Sequence, residues 1–360
     1  LLDELNETMD SNWDSNIEIP EENTIPDPEP DLPTSIEDVT EIQEETVQVE
    51  DEYGNKVTIP KGFEVVEEEG TTVPEGIVIQ DKDGNQFVWI PVGRVYKDDT
   101  GTNYVDIQLG RYTFDGVGNE TARQLAYTDG NPENYKQLIL IESNFQEYAT
   151  RENPDGINSI ETGLNAIANN LEVFIKSVQK YGGYYLARYE ASYGSGNSVG
   201  NYKPLSKISK SNNFSNTTLG SLWNNVSQLN ASKISKNMYY YDNSVGVESD
   251  LVNSYAWDTA IVFIQKMGNT NYANKGSVNN SIGNTGTIGD EVCNINDMAS
   301  NCREWTTENS RFENRNGTFP CIHRGGRSRA DHVSPAIRSN RQAGYQDSDT
   351  SFRVVIYVKL

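Results

Sequence analysis

The residues able to do metal, redox or nucleophilic chemistry are few and gathered late in the chain. Three cysteines, Cys293, Cys302 and Cys321, and two histidines, His323 and His332, are all the thiols and imidazoles in 360 residues. Cys293, Cys302, Cys321 and His323 make a four-ligand zinc set on paper. Their spacings of nine, nineteen and two lack the paired Cys-x-x-Cys knuckle of structural zinc, so a group of buried thiols is the plainer reading. The three thiols allow at most one internal disulfide. Two histidines are also a thin supply for a facial His and carboxylate iron site. Asp81, Asp83 and Asn85 invite a calcium-loop reading, but Gly84 stands at the fourth place rather than the sixth, and Val92 occupies the twelfth, where a bidentate Glu is needed. No Ser-His-Asp order, phosphate loop or paired-carboxylate signal rises above background.

Recognition chemistry is denser. The stretch 327–351, RSRADHVSPAIRSNRQAGYQDSDTS, has no apolar period and is studded with Arg, Ser and Asp. Arg327, Arg329, His332, Arg338, Arg341 and Tyr345 offer forked donors and an amphipathic ring, the groups most enriched at binding hot spots. The predicted ligand-contacting set is Arg327, Arg329, Asp331, His332, Val333, Ser334, Ile337, Ser339, Asn340, Arg341, Tyr345, Asp347 and Asp349. A basic patch of this kind favours an acidic or polar partner. The competing role for each arginine is to tie down its own loop.

These residues need a scaffold. VQVEDEYGNKVTI (47–59) and GIVIQDKDGNQFVWIPVG (76–93) alternate on both sides of Gly-Asn turns and read as hairpins. Leu171, Phe174, Ile175, Val178 and Tyr181 recur at helical spacing, with Asn169 or Asn170 as cap and Gly182 as stop. A second helical stripe is Ala256, Ala260, Phe263, Ile264 and Met267, between Asn253 or Ser254 and Gly268. YYLARYEA (184–191) and SFRVVIYV (351–358) read as strands. Most of 192–250 and 268–290 is Asn, Ser and Gly and reads as surface loop. Two helices, several strands and much irregular chain predict an α+β domain in which loops dominate.

Residues 1–50 hold 17 Asp or Glu and no Lys or Arg, which leaves 29 basic against 36 acidic residues, a net of −7, for the rest. Acid-rich and Pro-rich, residues 1–46 read as a disordered arm or stalk, 47–73 as a short hairpin and linker, and 74–360 as the domain. The negative charge argues against nucleic acid and anionic membrane as partners. No apolar run is long enough to span a bilayer, and a leader or anchor removed ahead of Leu1 is compatible with that.

FVWIPVG (87–93), YYLARYEAS (184–192), SYAWDTAIVFIQ (254–265), INDMASNCREWT (295–306), RGG (324–326) and SFRVVIYV (351–358), in this order, resemble the formylglycine-generating-enzyme, or sulfatase-modifying-factor, family. The resemblance implies a C-type lectin-like fold over 74–360 whose first and last strands pair, setting FVWIPV beside FRVVIYV. It implies a structural calcium near 298–305, with Glu304 as side-chain ligand and Ala299, Ser300 and Cys302 offering carbonyls. Trp305 and Met298 then plug a core under the loops, while Arg303 and Glu304 point apart and pair elsewhere. The family's two copper-binding cysteines fall on Ala330 and Pro335, neither of which binds copper.

A closer resemblance is to the variable proteins of diversity-generating retroelements, in which a hypervariable segment precedes a constant GFRVV-like strand; here residues 351–355 are SFRVV. Such elements randomise adenines, mostly in Asn codons, and an Asn codon altered at its first two bases cannot yield Lys, Glu, Met, Trp or Gln. Within 327–351 only Gln342 and Gln346 break that rule. The resemblance implies a non-catalytic receptor or adhesin with a protein or glycan ligand at a bacterial or virion surface. An oxidoreductase of the formylglycine-generating type with an altered metal site is the other class left open.

Overall fold

The computed structural model describes residues 32–126, 145–146, 171–210, 218–310, 313–314, 317–318, 321–330, 333–342 and 344–360. Both expected hairpins form, Val47–Glu50 with Lys56–Ile59 and Val78–Asp81 with Gln86–Pro91. One local device turns each. The Asp51 carboxylate takes the backbone N–H groups of Tyr53 and Asn55 and the Asn55 amide, while Gly54 adopts φ +83°. Asp81, Gly84 and Asn85 repeat the clasp, as do Asp115, Gly118 and Asn119. An Asp that satisfies its own turn in this way is a structural group.

The larger sheet has six antiparallel strands in the order Val247–Leu251, Val354–Val358, Gly183–Ala187, Gln86–Pro91, Val78–Asp81, Phe63–Val65. The closing strand 354–358 therefore lies beside 183–187 and 247–251. It does not pair with Gln86–Pro91, as the fold expectation had it; Gly183–Ala187 is inserted between them and pairs with both. Helix α1, Leu171–Tyr181, packs on this sheet through Leu171, Phe174, Ile175 and Val178, and ends at Gly182 with φ +79°. Its predicted caps, Asn169 and Asn170, lie outside the described residues.

Two further helices occur among the described residues. Helix α3, Ser254–Lys266, is capped by Asn253, whose side chain accepts from the Ala256 N–H at 2.9 Å, and residues 254–264 are all buried. Helix α2, Gln228–Asn237, corrects the reading of 192–250 as loop. The same region supplies the sheet strand Val247–Leu251. The architecture is α+β, mostly β with few helices and long irregular segments.

The packing does not divide the chain at 46 or 73. Ile36, Val39, Val49, Val57, Ile59 and Phe63 all belong to the main core, and the described residues from Pro33 to Leu360 fall in one compact unit. Among the described residues no helix is long and apolar enough to cross a membrane.

A second sheet runs Phe145–Gln146, Arg303–Ser310, Cys321–Arg324, Ser339–Arg341, and Thr350–Phe352 joins Arg303–Trp305 in parallel. The single strand expected over 351–358 is thus broken at Arg353, and its two halves belong to different sheets. Arg353 makes the joint. Its guanidinium holds Glu304 through two bonds, 2.9 Å to Oε2 and 2.7 Å to Oε1, and donates to the carbonyls of Ala187, Arg188 and Asn296. Fork geometry lets a fully buried cation satisfy so many acceptors.

Candidate ligand-binding surface

The stretch 327–351 hangs between two fixed ends. At its start Gly325 takes φ +85°, and a Cβ on Gly326 would lie 1.7 Å from the Ala299 carbonyl oxygen, so no other residue fits there. At its end Thr350, Ser351 and Phe352 are buried in the second sheet. The middle is pinned as well. The Trp257 indole N–H donates to the Pro335 carbonyl at 2.9 Å, and Arg338 reaches in to Asp258 and Glu308.

That pinning corrects part of the sequence reading. Arg338, offered as a binding group, is internal: together with Arg111 and Arg324 it surrounds Glu308, and with Arg324 it holds Asp258. Three guanidiniums around Glu308 hold its carboxyl down at about 2, despite burial that acts the other way. Val333 and Ser334 are buried too. Ile337 is half-buried and lines a shallow cavity of about 280 Å³ with Thr113, Phe114 and Arg338. Asp331 and His332 lie outside the described residues.

The rest of the predicted set stays outside the core. Arg329 is exposed, and Arg327, Ser339, Asn340, Arg341, Tyr345, Asp347 and Asp349 are half-buried. Arg327 pairs with Asp349 at 2.6 Å, both within the stretch, and lines a cavity of about 430 Å³ with Ser328, Arg329, Asp349, Ser281 and Ile282. Tyr345 gives its hydroxyl to Asp347 and rests edge-on against Trp305, centroids 6.3 Å apart, with Arg341 5.2 Å from its ring.

The strand register sorts the second sheet into two faces. Glu304, Glu308 and Arg324 face inward, where the ion pairs are. Trp305 opposes His323, and Cys321 opposes Arg341, on the other face, which also carries Arg303. Trp305 is fully buried, as expected, but plugs a second small core with Trp223, Leu251, Cys321 and Phe352, whereas Met298 sits in the main one.

Solved structures that resemble this chain include the following two. CarF shares 16% identity at a TM-score of 0.30, over 38% of this chain and 67% of its own. Treponema denticola variable protein 1 shares 14% identity at 0.26, over 76% of this chain and 95% of its own. Overlays this loose fix neither fold nor function. No known family model matches the sequence, and no curated protein does.

Glu304 does not fit a calcium ligand. Both its oxygens are taken by Arg353, and a guanidinium 2.7 Å away opposes a second cation. The zinc quartet is not assembled either. Cys293 packs on the main core while Cys321 lies in the second, and no metal-holding cluster of His, Cys, Asp and Glu occurs among the described residues. Burial pushes the Cys293 thiol up to about 12 and Cys302 and Cys321 up as well, far from the thiolate that chemistry requires.

Two residues of the surface were not among those predicted. Arg303, expected to find a partner, forms no ion pair among the described residues, and its Nε has no hydrogen bond although the residue is 7% exposed. His323 is 1% exposed, stacks on Trp305 with centroids 5.2 Å apart, and leaves both ring nitrogens without a partner. The alternation Arg303, Trp305 beside a polar loop was the one available signal for this face.

Proposed function

We propose that this is a non-catalytic ligand-binding protein, a receptor or adhesin that displays residues 327–349 on a C-type lectin-like scaffold. On this reading the segment is the diversified part of a retroelement target protein. The acidic N-terminal residues act as a spacer from a bacterial or virion surface, and the ligand is a protein or glycan. One observation carries the reading: the stretch is fixed at both ends and at Pro335 and Arg338, while Arg327, Arg329, Ser339 to Arg341 and Tyr345 to Asp349 stay out of the core. Anchors that do not depend on the intervening side chains let those side chains change without cost to the fold.

A library randomised at 327, 329, 339–341, 345, 347 and 349 tests this. Most clones are expected to keep the parent melting temperature within a few degrees, and selection on an arbitrary immobilised protein such as lysozyme is expected to return binders. A library at 333, 335 and 338 is expected to lose the fold. Collapse of the first library to the level of the second would overturn the reading. For diversification, the expected finding is a near-copy of codons 327–351, differing at adenines, beside a reverse transcriptase gene; absence of that copy removes the retroelement part alone.

A further inference from the structure

We infer that the face formed by Arg303, His323, Arg327 and Arg341 is a seat for an oxyanion, a carboxylate, sulfate or phosphate group borne by the ligand. The inference rests on the ligand-binding reading above and names the ligand's chemistry.

The placement comes from the backbone. Arg303 and Trp305 lie on one face of Arg303–Ser310, His323 opposes Trp305 across the sheet, and Arg341 follows on the edge strand through Cys321. Arg327 comes in from the side: its partner Asp349 accepts the Arg303 backbone N–H at 2.9 Å through its own carbonyl. Three guanidiniums therefore converge, and a single side-chain ion pair among the described residues, Arg327 with Asp349, answers them.

Unpartnered polar atoms, most of them donors, then point to what is wanted. Arg303 Nε, Arg327 Nε and both nitrogens of His323 are buried without a hydrogen bond. A buried donor with no acceptor keeps the desolvation cost without the bond that offsets it, so several together call for an acceptor from elsewhere. The like charges already feel one another: burial first, then Arg327 and Arg341, bring the Arg303 guanidinium down to about 10. Burial, followed by Arg303, Arg341 and Arg327, holds His323 well below its usual range, hence neutral at physiological pH. A neutral imidazole still donates one N–H, and an anion placed here would accept from it and from the guanidinium forks while relieving their repulsion.

With only two histidines in the chain, ¹⁵N-histidine labelling of the full protein gives a two-residue spectrum, assigned with His332→Asn. Titration with inorganic phosphate, sulfate or acetate, with sodium chloride holding ionic strength constant, is expected to shift the His323 nitrogens saturably. The ion that acts at lowest concentration identifies the group. Arg303→Met is expected to weaken that ion by about tenfold or more, and Arg341→Met does the same with the buried strand untouched. His323 signals that stay still into the tens of millimolar with all three ions overturn the inference, as does a shift unchanged in both variants. Neither result bears on the library outcome above, so the two readings fail separately.

Discussion

At the scale of single residues the molecule depends on buried charge that is fully answered. Arg353→Met would leave Glu304 inside with no counter-ion, and removing one partner of a buried pair costs roughly 3–5 kcal/mol. Guanidinium denaturation should show that loss, with part of it recovered when Glu304→Gln is added, since the orphaned charge is then gone. Asp297 gives a pH signature. Burial, only partly offset by the Gly286 N–H and the Thr285 hydroxyl, lifts its carboxyl from 3.8 to about 6. Between those values the folded state keeps a proton that the unfolded chain has released, so this group's contribution is full below 3.8 and falls as pH rises, by about 1.4 kcal/mol per unit. The stability of Asp297→Asn relative to the parent should therefore increase from pH 4 to pH 6; a flat difference would refute the assignment.

Among elements, legibility in the sequence followed locality. Helix α3 and both hairpins were readable because the apolar period and the Gly-Asn turns are short-range signals. Helix α2 was not, because its buried face is Gln228, Ala231, Ser232, Ile234 and Ser235, small and mostly polar groups without an apolar stripe. The strand break at Arg353 was hidden inside an unbroken β-like run. The inward turn of Arg338 was invisible because its partners lie 80 and 30 positions away. For the stretch 327–351, the exposure of Arg329 was legible in composition, while the burial of Val333, Ser334 and the Arg338 side chain was not, because it depends on tertiary partners. This yields a paired test. Arg329→Ala should leave the melting temperature within about 1 °C, as most exposed substitutions do, whereas Arg338→Ala strips two buried carboxylates of a shared cation and should lower it severely. Gly326→Ala should be worse than Gly325→Ala, because the first drives a methyl into the Ala299 carbonyl.

Across the whole molecule, the two sheets share one continuous piece of chain, 350–358, and the ring contacts of Phe174 with Tyr184 and Tyr357 tie α1 to the same place. Thermal unfolding of the sheets should accordingly coincide when followed by far-ultraviolet and aromatic circular dichroism, and amides of 354–358 should be among the slowest to exchange. Two separated transitions would contradict that coupling.

The position of strand 354–358 between 183–187 and 247–251 also has a consequence for manufacture. On a ribosome, the larger sheet stays split until residues 354–358 emerge, so the nascent protein has no finished core while residues 327–349 are being translated. Any reading-frame slip within codons 327–349 would garble the strand that closes the sheet. Copies shifted in frame would then fail to fold and be degraded.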